Sequence, residues 1–519
     1  MDEAVPQVNR WLVSLSVVFA TFMEVLDTTV VNVALPHIAG SMSSTVEEGT
    51  WTLTSYLVAN AIILPMTGWL AQQFGRKRLL MMAVIGFTCA SFMCGLAPNL
   101  ATLIVFRVIQ GASGGTMQPL SQAIMLEAFP PEERGKAMAA WAVCIVTAPI
   151  LGPVVGGWLT DTYSWRWIFY INIPVGIISL IMAKLFVFDP PYLRKKAQGI
   201  DYWGIGMLAV GMAALQIMLD KGQQEDWFTS NMIATLAAIA AVLLPAFVLY
   251  EIFAKNPIIH LKVFRDRTYA IGVFLMTTVG FVLYGSLVLL PIILQTLLGY
   301  SAMQAGIAMA PRGIGSLLFT PVIGIVLGRV GARKILAAGI DLCAVTLFWF
   351  GFLNLDAGYW DFFWPQFIQG ISMSMLFVPM TTTTMDAIPK EEMGNATSIF
   401  NLMRNIGGSI GIATAATMLE RHRQMYTNTL GAHVTVYGLR SQEMLNQIRS
   451  AMIANGSDPA NAMHKAHAML FGMVERQATM LSFLDLMKLF GGLFILITPL
   501  ILLAKSPRVG KRSPAEAAH

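Results

Sequence analysis

Two carboxylates and one guanidinium stand in this sequence where charge is rarely tolerated. Glu24 and Asp27 lie inside the apolar run VVFATFMEVLDTTVVNVALP, and Arg107 lies inside TLIVFRVIQG. A charged side chain at mid-bilayer costs on the order of 3 kcal/mol on insertion scales, so it is normally neutral, paired or turned toward a watery cavity. Asp27 is the first candidate to bind and release a proton. Glu24, three residues earlier, shares its helical face and could share that proton or line a cavity for a cationic ligand. The competing reading puts both acids near the water boundary, merely solvated. Arg107 needs an anionic partner, or backbone carbonyls that satisfy it as a structural residue. Gly152, Pro153, Gly156 and Gly157, in PILGPVVGG, do no acid-base work. Small residues let helices approach closely, and a proline removes one backbone hydrogen bond and favours a kink.

The elements that must position these groups are membrane helices. Of the 519 residues 56% are hydrophobic and 12% charged, against roughly 25% charged in an ordinary soluble domain. A water-soluble chain is excluded. A transmembrane helix needs about 20 mostly apolar residues. Such spans begin near Trp11, Trp51, Leu79, Ala101, Ala137, Trp167, Tyr202, Asn231, Ala270, Met303, Ile335, Trp360, Gly394 and Met480, fourteen in all. The first is too long for a cleaved signal and has no small-residue cleavage site. Cys89, Cys94, Cys144 and Cys343 sit in apolar stretches without CxxC spacing, as packing residues and not disulfides or metal ligands. His464 and His467, three apart without further ligands, read as a solvated face. Nothing points to a metal or a cofactor.

The net charge of +5 is no sign of nucleic acid, because the placement of the basic residues carries the information. Loops on the side of the N-terminus hold 22 lysines and arginines, from Arg10 and the Arg76, Lys77, Arg78 cluster to Arg512, whereas the short opposite loops hold only Arg166 and Lys221. This asymmetry predicts cytoplasmic termini. One long external loop, Glu420 to Ala478, is polar, with helical apolar spacing at Met444, Ile448, Met452 and again near Met469 and Met473. It is expected to form a helical hairpin outside the membrane. Asp485 and Lys488 are spaced as a local helical pair.

An internal repeat organises the spans. GWLAQQFGRKR follows the second span, with Gly68 and Gly75 ahead of Arg76; GIVLGRVGARK follows the tenth, with Gly324 and Gly331 ahead of Arg333 and Lys334. A plain turn with basic anchors explains either copy alone but not the recurrence at equivalent places. The repeat divides the chain into a six-helix bundle over 11–188, an inserted helix pair over 202–252, and a second six-helix bundle over 270–504 that includes the external loop 420–478. Two six-helix halves in parallel repeat are the plan of the major facilitator transporters.

The whole chain resembles the fourteen-span drug:proton antiporters of the EmrB and QacA type within that superfamily. The resemblance rests on LDTTVVNVALP from Leu26 to Pro36, RVIQGASGG with Arg107, Gln110 and Gly111, the fifth-helix motif with Gly152, Pro153, Gly156 and Gly157, WRWIFYINIP from Trp165, LDKGQQEDWF from Leu219, and WPQFIQG from Trp364. Ala148 stands where the fifth-helix motif often has a leading glycine, and Gln72 where the loop repeat usually has an acid.

The resemblance implies an all-α integral membrane fold and a proton-coupled exporter of hydrophobic or amphipathic compounds, with no cofactor. It makes Asp27 a partner for Arg107, since the first and fourth helices line the cavity of the N-terminal half, and makes their ion pair one that breaks on protonation. It assigns the fifth-helix glycines and Pro153 to a tight, bendable seam between the halves, and Arg404, with Asn405 and GGSIG, to a related part in the C-terminal half. Adaptable contacts to hydrophobic small molecules would come from the 33 methionines and 29 phenylalanines, residues that also suit a lipid-facing surface. The EmrB type implies a bacterial inner membrane, an EmrA-type periplasmic adaptor and a TolC-type outer-membrane channel. The chain leans to that type because LDKGQQEDWF and the loop from Glu420 to Ala478 fall on external segments, where the loop either docks an adaptor or caps the cavity. A proton-driven uptake permease is the alternative within transport, and the fifth-helix motif argues against it. A membrane-embedded enzyme would need a His, Asp, Ser or Cys cluster at one depth, which the sequence lacks. The absence of a GxxxxGK[ST] sequence excludes a P-loop ATP motor, and the two-half repeat argues against a channel.

Overall fold

The computed structural model describes residues 9–130, 133–189, 199, 201–254, 256–386, 388–435 and 437–503. Among them, long helices fall on every one of the expected spans. They are α1 (Arg10–Ser41), α2 (Glu47–Phe74), α3 (Arg76–Leu96), α4 (Leu100–Ala128), α5 (Arg134–Thr162), α6 (Trp167–Phe186), α7 (Tyr202–Lys221), α8 (Asn231–Phe253), α9 (Arg267–Thr296), α10 (Ala302–Val330), α11 (Ala332–Phe350), α12 (Tyr359–Met385), α13 (Met393–Gly431) and α15 (Pro459–Ile497), with a shorter α14 (Leu439–Ala454) before the last. Helices satisfy the backbone internally, which lipid cannot do. Polar caps start several of them: Asn9 accepts from the Trp11 amide, Asn99 from Thr102, Asp266 from Tyr269, and Ser301 with Gln304 forms a capping box.

Ten of these helices are long and apolar enough to cross a membrane unaided, and α5 makes an eleventh as a pair bent by 41°. The bend falls between Pro149 and Leu151, where Pro153 has no amide to give the Pro149 carbonyl its i+4 bond. Of the remaining three, α12 and α13 dilute their apolar character with groups that serve the interior, while α11 carries Arg333, Lys334 and Asp341 outside the core. Gln366, Gln369, Ser372 and Ser374 of α12, and Asn395, Asn401 and Arg404 of α13, are all buried.

Packing follows the repeat. α1 packs on α5 and α6 as α9 packs on α13 and α15; α4 packs on α2 and α3 as α12 packs on α10 and α11. Between these sets, α5 lies against α10 and α12, and α13 against the last turns of α2 and the second half of α4. Both of those contacts of α13 lie toward the end of the molecule where α1 begins. The inserted α7 leans on α2 and α13, while α8 packs mainly on α7 and is largely exposed to its surroundings.

Outside this frame the boundaries differ from expectation. Instead of ending near Glu420, α13 continues to Gly431, and α15 starts at Pro459 and not near Met480. The external hairpin is therefore built from prolongations of two spans, with α14 packed on α15. Arg423 of α13 binds these prolongations together through Glu475 of α15, and Glu420 on its own helix holds it in place (2.8 Å). Asp485 accepts from Tyr426 Oη (2.5 Å) and lies 3.9 Å from His422, while Lys488 sits over the Phe352 ring, so these two do not form the expected helical pair. Arg194, Lys195, Lys196, Lys255, Lys505, Arg508, Lys511 and Arg512 of the basic pattern, and residue 504 at the expected end of the second bundle, lie outside the described residues.

Candidate functional site

Asp27 and Arg107 meet in the interior of the N-terminal bundle. The α1 carboxylate and the α4 guanidinium are 2.6 Å apart, and both side chains are 0% exposed. That geometry rejects the solvated reading of Asp27. Its Oδ1 accepts from Gln110 Nε2 (2.9 Å) and from Asn172 Nδ2 (2.7 Å) of α6. Arg107 also donates from Nε to the Thr52 carbonyl (3.0 Å) and from Nη1 to Gln110 Oε1 (2.8 Å), and its guanidinium stacks 4.2 Å from the Tyr56 ring centroid. One carboxylate thus holds α1, α4 and α6 together. Gly111 makes room for this: a Cβ there would strike the Tyr56 carbonyl oxygen, so glycine lets α4 lie directly on α2. Sequence reasoning missed Asn172, although it lies within the quoted WRWIFYINIP. A polar amide inside an apolar span was the available signal.

Glu24 has its own set of partners. It is 4% exposed and accepts from Asn60 Nδ2 (3.1 Å) of α2 and from Gln118 Nε2 (2.6 Å) of α4. Gln118 Oε1 in turn accepts from Arg404 Nη2 (2.5 Å), so the chain Glu24, Gln118, Arg404 runs from α1 through α4 to α13. A second amide bridge, Asn401 Nδ2 to Gln122 Oε1 (2.6 Å), and a hydroxyl bond from Thr397 to the Pro119 carbonyl (3.0 Å) tie α13 to the same stretch of α4. Asn60, Gln118 and Gln122 were not singled out from sequence.

The glycine motifs act at helix crossings. A Cβ on Gly68 would lie 2.7 Å from the Asn395 Cα, so this residue sets the approach of α2 to α13. Gly324 faces Gly135 and Ala139 of α5 in the same way. Gly75 and Gly331 end α2 and α10 at φ values of 82° and 88°, where only glycine is unstrained. Arg76 is buried against Glu127 and also donates to the Lys390 carbonyl (3.4 Å). The loop acid that is usual at Gln72 is absent, and the carboxylate that meets Arg76 is Glu127; Asp189 accepts from the Lys77 amide (2.8 Å) beside Gly75. Gly152 and Gly156 are placed not in the seam between the halves but against α1, at Thr29 and Val30. The physical reason is that α5 crosses α1 closely on this face while its other face meets α10; Gly157 has only Val33 nearby, at 3.8 Å.

LDKGQQEDWF is tied inward. Asp220 accepts from Thr54 and Lys221 donates to Thr50, both on α2, and Trp227 Nε1 donates to Thr417 Oγ1 of α13 (2.9 Å). This motif therefore fixes the inserted pair across both bundles.

The arrangement is that of a transporter with a buried charge network between helices of two halves, and known proteins agree. The Major Facilitator Superfamily model matches residues 17–412. The chain is 37% identical to the fatty acid resistance protein FarB of Neisseria gonorrhoeae over 95% of this chain and 96% of that protein. It is 39% identical to the multidrug export protein EmrB of Haemophilus influenzae over 84% and 86%, and 35% identical to EmrB of Escherichia coli over 96% and 95%. Among solved structures it resembles the human organic anion transporter MFSD10, with a TM-score of 0.63 at 12% identity over 95% of this chain and 100% of that one. The proton:xylose symporter XylE gives 0.60 at 14% identity over 98% of each chain. On the extent of these matches, the chain belongs to the major facilitator superfamily.

Proposed function

We propose that this protein is a proton-coupled efflux antiporter for hydrophobic and amphipathic compounds in a bacterial inner membrane. The observation that carries the proposal is the buried Asp27, which holds α1, α4 and α6 through Arg107, Gln110 and Asn172. When the carboxylate takes a proton it loses the charge that compensates Arg107, and α1 is released from α4. The relatives' names, multidrug export and fatty acid resistance, fit substrates of this class.

In this proposal 11–188 and 270–504 move as two halves about the central cavity, with 202–252 bridging them. The contacts of α13 with α2 and α4, together with Arg134 and Asp386 at 3.9 Å, close the end where α1 begins. With cytoplasmic termini, this is the outward-facing arrangement, in which substrate leaves and a proton enters. Glu24 and Arg404, linked through Gln118, would pass the state of one half to the other. An EmrA-type adaptor and a TolC-type channel complete the export path, the adaptor meeting the projecting α13, α14 and α15. An imposed pH gradient should drive a fluorescent hydrophobic dye across proteoliposomes holding the purified chain, and a protonophore should stop it. Dye movement indifferent to the gradient would defeat the antiport reading, and movement with the proton flow would make the protein a permease.

A further inference from the structure

The C-terminal half repeats the architecture around Asp27 but not its charge balance. Nineteen residues before Gly75 and Gly331, the glycines that end α2 and α10, stand Tyr56 and Arg312. Nine residues before the prolines inside α1 and α9, Pro36 and Pro291, stand Asp27 and Val282. Packing supports that alignment, since Gly152 closes on Thr29 and Gly408 on Tyr284, each two residues beyond. On the facing helices Gln110 accepts from Cys94 (3.6 Å) as Gln369 donates to Cys343 (3.9 Å). Gly111 lies on the Tyr56 carbonyl as Gly370 lies on that of Arg312. Four residues before these glycines come Arg107 and Gln366.

The arginine has thus moved from α4 in one half to α10 in the other, and its carboxylate has gone. Arg312 is 4% exposed; its Nε donates to Gln366 Oε1 (2.7 Å) and its Nη2 to Gln369 Oε1 (2.5 Å). These amide oxygens are polar but carry no net charge. The place of Asp27 is taken by Val282, which is fully buried, and no described Asp or Glu forms an ion pair with Arg312. Arg312 Nη1 and Gln366 Nε2 are buried donors without an acceptor among the described residues. A short ladder of buried hydroxyls, Ser316, Ser374 and Thr320, follows on the same seam, with Thr320 and Ser374 2.6 Å apart. A cation so far from water is stabilised by a counter-charge, which the N-terminal half supplies to Arg107 from its own chain.

We propose that the C-terminal half binds a singly charged anion at Arg312, with Arg312 Nη1 and Gln366 Nε2 as donors. The anion is the carboxylate of an amphipathic substrate or a free halide. The substrate arm rests on the efflux reading, whereas binding itself does not, so it is measured without transport. The unfolding midpoint of the purified full chain in detergent is followed during titration with chloride and, separately, with butyrate, against sulfate at equal ionic strength. Chloride or butyrate should raise the midpoint saturably by about 3 °C, since a ligand that binds only the folded state stabilises it. A rise with chloride alone identifies a free halide, and one with butyrate identifies a carboxylate. The rise should vanish in Arg312→Gln. It should vanish also in Val282→Asp, which puts an internal carboxylate where Asp27 stands in the other half. If one variant does not fold, the other decides. No saturable rise from either anion in the wild-type chain, or a rise of undiminished size in a folded variant, would overturn the proposal.

Discussion

At the scale of single residues, charge in a low-dielectric interior decides the account. Asp27→Asn keeps the shape and the contacts with Gln110 and Asn172 but cannot exchange a proton, so gradient-driven transport should be lost while insertion and folding persist. Arg107→Ala should also abolish transport. Arg107→Lys should restore little of it, because one ammonium cannot replace a planar fork that serves the Thr52 carbonyl, Asp27 and Gln110 together. Initial rates in proteoliposomes measure both, and full activity of the lysine variant would leave Arg107 a purely structural role. Asp27, Glu24 and Arg107 were legible in the sequence because a charge inside an apolar run has few innocent explanations, and Arg404 through the resemblance. Asn172 and Gln118 were not, since an amide within a span gives a weaker signal and its partner is set only by the fold.

At the scale of helices, close approach is bought with glycine. Gly111 and Gly370 let α4 lie on α2 and α12 lie on α10 with backbone carbonyls beneath them. Gly111→Ala should cost about 1–3 kcal/mol, the range for overpacking a tight contact, and should lower the thermal midpoint of the detergent-solubilised protein. An unchanged midpoint would mean that α2 and α4 can separate freely at Tyr56. Helix number and order followed from hydropathy, but where helices end did not. α13 and α15 run on beyond the expected spans because the prolongations support each other through Arg423 and Glu475, a tertiary contact invisible to a local pattern. Similarly, the fifth-helix motif announced a close crossing without saying which neighbour it faces. The projecting hairpin carries a further prediction. Shortening Glu420 to Ala478 should weaken co-purification with an EmrA-type adaptor while gradient-driven transport by the reconstituted chain continues. Normal adaptor binding by the shortened protein would assign the hairpin to capping the cavity.

At the scale of the whole molecule, two bundles of common plan have diverged in their charges. One half holds a complete ion pair at Asp27 and Arg107, the other an arginine among amides at Arg312, and the chain from Glu24 through Gln118 to Arg404 passes between them. The repeated glycine and arginine loops showed this symmetry in the sequence, whereas its breaking appeared only when equivalent positions were set side by side in three dimensions. In the proposed mechanism protonation would act in the N-terminal half, and its effect would reach the other half through α4 and α13. The most direct test compares dye movement in proteoliposomes of the wild-type chain and of Asp27→Asn under the same imposed pH gradient. The account predicts that the gradient drives dye against proton flow in the wild type and has no effect on the variant. Equal gradient-driven movement in both would contradict it.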